Sequence, residues 1–341
     1  MEKGAGRAAG RIRAKMKLGK KGGIAVFTLM GILLATVVVL HRNLGPAADP
    51  GEEFLKKVLS CVIIAGACIG FAVFYDKVTG LAGELIQSRH LIWKLAKNDF
   101  KKRYAGSYLG AVWAMVQPVV TVALYYVVFE IVLHGASRTE EAPYMLFLTA
   151  GLVPWFFFSE ALNAGTNALR EYDYLVKKVV FKISILPIIK IIAATFIHGF
   201  FILVLMVVAG LYHHFPTIYT IQIFYYSACL FLLVLAICYT TCSIMVFFKD
   251  ISQIISICLQ IGMWATPILW DINTIPEKWQ KILKINPLVY IVNGYRSAVY
   301  KQEWFFQDFF STVYFWMFTI VVFGIGTLVF KRLKVHFADV L

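Results

Sequence analysis

Apolar residues in this 341-residue chain come in long unbroken runs rather than in the alternation of half-buried strands. Eight stretches stand out, at 23–40, 58–75, 109–133, 144–162, 183–211, 221–248, 251–270 and 311–330. Each is near the about 20 mostly apolar residues that a helix needs to cross a bilayer. The pattern therefore predicts an all-α integral membrane protein with eight spans and both termini on one side.

Three intervening segments carry a different pattern. In 84–104, Leu85, Ile92, Ala96, Phe100 and Tyr104 recur on one helical side, while Gln87, Lys94, Lys97, Asn98 and Lys101 take the other. This predicts an amphipathic helix in the membrane interface, with a solvated basic loop as the alternative. Segment 162–182 mixes charged and polar residues with Leu169, Tyr172, Leu175 and Val176. Spacing alone fits a short docking helix and an ordinary loop equally. Segment 271–304 has apolar pieces too short to cross, broken by Pro276 and Pro287. A re-entrant or surface helical hairpin on the outer side fits, because non-helical backbone at membrane depth must be covered by protein or line a cavity; merely a surface loop is the alternative.

Composition agrees with lipid as the solvent: 60% of residues are hydrophobic and 15% charged, against about 45–50% and about 25% in soluble chains. The net charge of +14 comes from 33 Lys and Arg against 19 Asp and Glu. Such a balance can signal nucleic acid, anionic lipid or membrane topology, and the position of the charges decides. Lys3 to Lys21, Lys77 to Arg103, Arg170 to Lys182 and Lys331 to Lys334 all fall on one side of the eight spans. The positive-inside bias makes that side cytoplasmic, so nucleic acid is not needed to explain the charge. Lys278, Lys281, Lys284, Arg296 and Lys301 fall outside, in a long loop whose charge weighs little on topology. A cleaved leader is the rival reading of the first span, but its basic stretch and apolar core are both longer than a leader uses.

Two parts follow: residues 1–83, a basic N-terminus with two spans, and 84–341, a six-span body. The chain lacks a phosphate loop, H-E-x-x-H and G-x-S-x-G, which leaves no expectation of enzyme activity, a metal or a cofactor in this chain. Cys61, Cys68, Cys229, Cys238, Cys242 and Cys258 all lie in apolar runs and read as small buried hydrophobes, although Cys238 and Cys242 are spaced to share a helix face. Glu130, Glu160 and Lys190 lie near span ends, where snorkelling explains them as well as a proton path does. Aromatic clusters around Tyr125, around Trp155 and Phe156, and at 224–226 fit interfacial belts. They also fit a pore whose rings stack on sugar faces.

The body also resembles a known family. Asp99-Phe100-Lys101-Lys102-Arg103-Tyr104 leads into Ser107-Tyr108-Leu109-Gly110-Ala111-Val112-Trp113 and Gln117-Pro118; Pro154-Trp155-Phe156-Phe157-Phe158-Ser159-Glu160 precedes Leu175 to Phe181 and Ile185-Leu186-Pro187; and Phe248-Lys249-Asp250-Ile251 precedes Thr266-Pro267-Ile268 and Asn286-Pro287-Leu288. From about residue 85 onward this resembles the ABC-2-type permeases that export lipid-linked polysaccharide, the O-antigen and teichoic acid exporters. It departs from them at Lys182, where the family has proline, and at Lys249, where it commonly has arginine. The two N-terminal spans lie outside the pattern.

The resemblance implies a permease in a bacterial cytoplasmic membrane, paired with a second copy and with a separate ATPase subunit that holds ATP and Mg. Arg170, Tyr172, Leu175, Lys177, Lys178 and Phe181 would form the segment seated on that ATPase. Lys97, Lys101, Lys102 and Arg103 would face a lipid-linked glycan's diphosphate, or anionic lipid. Tyr125, Trp155, Phe156, Pro267, Asn286 and Pro287 would line or gate the channel. Alternatives are an ABC-2 permease for another lipid or a drug, a membrane-embedded glycan enzyme, and a scaffold.

Overall fold

The computed structural model describes residues 19–40, 50–103, 110–132, 142–177 and 182–340. Two compact units divide at 82/83, and among the described residues no strand occurs.

In the first unit, α1 (Lys20–Leu40) packs on the first part of α2 (Pro50–Gln87). Phe27 stacks on Phe71 with centroids 4.0 Å apart, and Lys20 reaches Asp76 at 2.7 Å. Leu29, Met30, Leu33 and Ile69 are exposed, as lipid-facing side chains of a short helical pair would be.

The second unit continues with α3 (Arg89–Arg103), α4 (Trp113–Tyr126), α5 (Tyr144–Glu171), α6 (Leu186–Leu211), α7 (Gln222–Phe247) and α8 (Ile251–Ala265). After these come α9 (Glu277–Leu283), α10 (Pro287–Arg296) and α11 (Phe309–Leu333).

Among the described residues, six helical segments are long and apolar enough to cross a membrane: Lys20–Leu40, Lys57–Asp76, Tyr144–Glu171, Ile183–Leu211, Ile218–Phe247 and Phe309–His336. The other two apolar stretches behave differently. Residues 110–132 break into a 3-10 turn, α4 and a π-turn, with Pro118 inside α4 removing a backbone donor. α8 has 15 residues, about 22 Å of helix against a hydrocarbon core of about 30 Å.

α5 is the central helix. Leu146 to Trp155 are buried without a break, because α6, α7, α8 and α10 surround it. Pro154 is tolerated there because neighbouring helices cover the freed carbonyl. Small and hydroxyl residues add close approaches and hydrogen bonds to the apolar helix contacts, as expected where lipid is as apolar as leucine. Thr166 on α5 meets Thr241 on α7 at 2.8 Å. At Gly326 on α11 an added Cβ would lie 2.7 Å from the Ala236 carbonyl of α7, so only glycine allows that approach.

Of the six cysteines, all free, Cys229, Cys238 and Cys242 are buried as expected, but Cys61 and Cys68 are half-buried and Cys258 is exposed. An apolar run places a residue in a span without saying whether it faces protein or lipid. Among the described residues no group of His, Cys, Asp or Glu is arranged to hold a metal.

Candidate functional site

Candidate site residues and polar clusters gather at the two ends of α5, whose 28 residues span about 42 Å. At its C-terminal end lies α3. The predicted amphipathic face is the observed one: Ile92 and Ala96 are buried, Trp93 and Phe100 set their ring edges on Phe196 of α6, and Lys94, Lys97, Asn98 and Lys101 are exposed. Lys102 is also exposed, and Arg103 ends the helix. The helix starts at Arg89 rather than at 84, because α2 runs on to Gln87 before the break at Ser88.

Asp99, one turn beyond Ala96, joins that buried side. Its carboxylate accepts from the Lys190 ammonium of α6 at 2.7 Å and from the Tyr172 hydroxyl. Lys190 also pairs with Glu171, the last residue of α5, at 2.6 Å and lies 4.8 Å from the Tyr172 ring centroid. The side chains of Lys190 and Asp99 are only 11% and 13% exposed, so their attraction is screened far less than a surface pair's. Burial first, and then the bond to Asp99, raises the Tyr172 phenol well above its usual range, so it stays neutral and donates. Lys190, which the sequence leaves between snorkelling and a proton path, stands at the centre of this cluster. Beside it lies a cavity of about 540 Å³, lined by Asp99, Lys102, Glu160, Asn163, Asn167 and Lys190 among others. Glu160 thus faces a polar cavity.

The segment after α5 holds most of the expected ATPase-coupling residues. Arg170 and Lys177 are exposed, Leu175 is half-buried, and Asp173–Val176 form one helical turn. Lys178 and Phe181 lie outside the described residues. Gly110 opens the segment leading to α4 with φ +52°, a left-handed backbone that glycine adopts without strain.

The opposite end of α5 meets the 271–304 segment. α10 is buried along most of its length and packs on α5 and α7, so this half of the segment is no surface loop, whereas α9 has no buried residue. Asn286 caps α10 by accepting from the Leu288 N–H at 3.0 Å and ties it to Thr266 at 2.9 Å. Pro287 occupies the first helical turn, where its missing donor costs nothing. Arg296 is buried and donates to the carbonyls of Pro267 and Ile268 at 2.8 and 3.0 Å, with its guanidinium 3.5 Å from the Phe147 ring centroid. Tyr144 adds a bond to the Leu269 carbonyl at 3.1 Å. Tyr295 anchors α10 to α6 through His198 at 2.9 Å and to α7 through Ser227 at 2.6 Å.

The aromatic candidates sit between these ends. Trp155 is buried, near Gly262 of α8; Phe156 is half-buried against Phe201 of α6; and Tyr125 directs its hydroxyl toward the Met263 sulfur at 3.8 Å.

Sequence reasoning missed the roles of Asp99 and Glu171 at one end of α5 and of Arg296 at the other. Asp99 was findable, because it continues the spacing of Ile92 and Ala96 onto the packed face. Arg296 gave no such signal, since its partners are backbone carbonyls 28 and 29 residues away.

A charged helix thus lies at one end of α5 and the buried helix α10 at the other, with polar connections between helices. The ABC-2 type transporter family matches residues 90–300. An O-antigen export system permease protein of Myxococcus xanthus is 29% identical over 226 residues, covering 65% of this chain and 85% of that protein. One from Klebsiella pneumoniae is 27% identical over 258 residues, 74% and 95% of the two chains. The polysialic acid transport protein KpsM of Escherichia coli is 24% identical over 234 residues, 68% and 89% of the two chains. With a match from α3 through α10, this chain is a member of the ABC-2 type transporter family.

Proposed function

We propose that this chain is the permease subunit of an ATP-driven exporter that moves lipid-linked polysaccharide out of the bacterial cytoplasm. The observation that carries the reading is similarity to O-antigen and polysialic acid exporters over 65–74% of the chain. α3 lies on the cytoplasmic side, with Lys97, Lys101, Lys102 and Arg103 attracting the substrate's diphosphate. A separate ATPase sits on the segment from Arg170 to Phe181. Two permease copies form the channel, and the α9–α10 hairpin closes its outer mouth.

The chain's contribution is binding, orientation and gating, while ATP and Mg belong to the ATPase. The test is ATP hydrolysis by the permease–ATPase complex in liposomes. Lipid-linked oligosaccharide stimulates it and free oligosaccharide or drug-like amphiphiles do not. Stimulation by the amphiphiles alone overturns the choice of substrate.

A further inference from the structure

Three elements with separate tasks meet at one ammonium group. Asp99 belongs to α3, the basic helix; Glu171 ends α5, immediately before the segment read as the ATPase seat; and Lys190 projects from α6 between them, 2.7 Å from one carboxylate and 2.6 Å from the other. Tyr172, the first residue past α5, donates to the same Asp99 carboxylate that Lys190 holds. α3 thus holds the start of the coupling segment both directly and through Lys190. Its remaining contacts with α6 named above are the ring edges at Trp93 and Phe100 and the buried Ile92 and Ala96. Those contacts are apolar and carry no ion pair or hydrogen bond, so they resist sliding less. The ion pairs and the Tyr172 bond are directional and set where α3 stands relative to Glu171. The cavity beside Lys190 leaves space into which this flexible side chain can swing as the three elements shift.

We propose that Lys190 is a positioning residue that transmits displacement of the segment after α5 to α3, so that ATPase movement repositions the basic helix. The inference rests on the reading of residues 170–181 as the ATPase seat. In one nucleotide state Lys190 holds Asp99 and Glu171 together. When the segment moves, Glu171 and Tyr172 draw on Asp99 through Lys190 and through the phenol, and α3 follows.

The experiment uses the full permease–ATPase complex in nanodiscs, with wild type, Lys190→Met and Lys190→Arg compared at equal complex yield. Met keeps the length and loses the charge, whereas Arg keeps a cation able to span two carboxylates. Hydrogen exchange is followed over 89–103 and 170–177 with and without trapped nucleotide. Wild type and Lys190→Arg respond in both segments. Lys190→Met responds fully in 170–177, its response in 89–103 shrinks to what the Tyr172 bond alone carries, and its substrate moved per ATP hydrolysed falls about tenfold. A purely structural role changes resting exchange equally in both nucleotide states. An unaltered nucleotide response of α3 in Lys190→Met overturns the inference, as does a wild-type α3 that never responds. Should the exchange pattern hold while wild type moves no lipid-linked glycan, the substrate reading fails and the transmission role stands.

Discussion

Arg296→Met removes the buried guanidinium that holds the connection between α8 and α9. Its two bonds, at 2.8 and 3.0 Å, go to carbonyls of Pro267 and Ile268, and both residues are buried. Leaving each carbonyl unpaired costs about 1–3 kcal/mol, and loss of the face-on contact with Phe147 at 3.5 Å adds up to about 2 kcal/mol. Against this gross loss, the variant is relieved of desolvating a cation, which returns several kcal/mol. The net expectation is a loss of about 2–4 kcal/mol. At about 2–4 °C per kcal/mol for a body of this size, thermal unfolding in detergent falls by roughly 5–15 °C at a fixed scan rate. Arg296→Lys keeps the charge without the planar fork and falls between the two. A Met variant melting within about 1 °C of wild type refutes the clamp.

Other substitutions test separate parts. Gly326→Ala pushes a methyl to 2.7 Å from the Ala236 carbonyl; backbone cannot swing aside, and the melting shift corresponds to about 1–3 kcal/mol. Asn286→Ala deletes both the cap of α10 and its tie to Thr266, costing about 1–2 kcal/mol and speeding proteolysis at the α9–α10 connection more than elsewhere. Neutralising Lys97, Lys101, Lys102 and Arg103 together lowers transport of lipid-linked glycan at equal membrane level and ATPase binding. Unchanged flux removes these residues from substrate attraction.

What could be read from sequence follows which interactions are local. Helices α5, α6, α7 and α11 were legible because long apolar runs leave few alternatives, and α3 because Ile92, Ala96 and Phe100 repeat at helical spacing. Where apolar length alone was the guide it overreached at 251–270, which reads as a span although α8 stops at Ala265 before Pro267, whereas 110–132 runs as contiguous 3-10, α and π segments. The functional clusters were less legible, because Asp99 and Lys190 lie 91 residues apart. Nothing in the neighbourhood of either names the other. Motif resemblance supplied the segment read as the ATPase seat and the hairpin, while the ion pairs that connect the end of α5 to the basic helix emerged only from packing.

The most direct test of the exporter reading is flux itself: reconstitute the chain with its ATPase and measure ATP-dependent movement of a lipid-linked oligosaccharide across the bilayer. The account predicts movement that disappears with a hydrolysis-dead ATPase. An assembled complex that hydrolyses ATP yet leaves the oligosaccharide on its original face contradicts it.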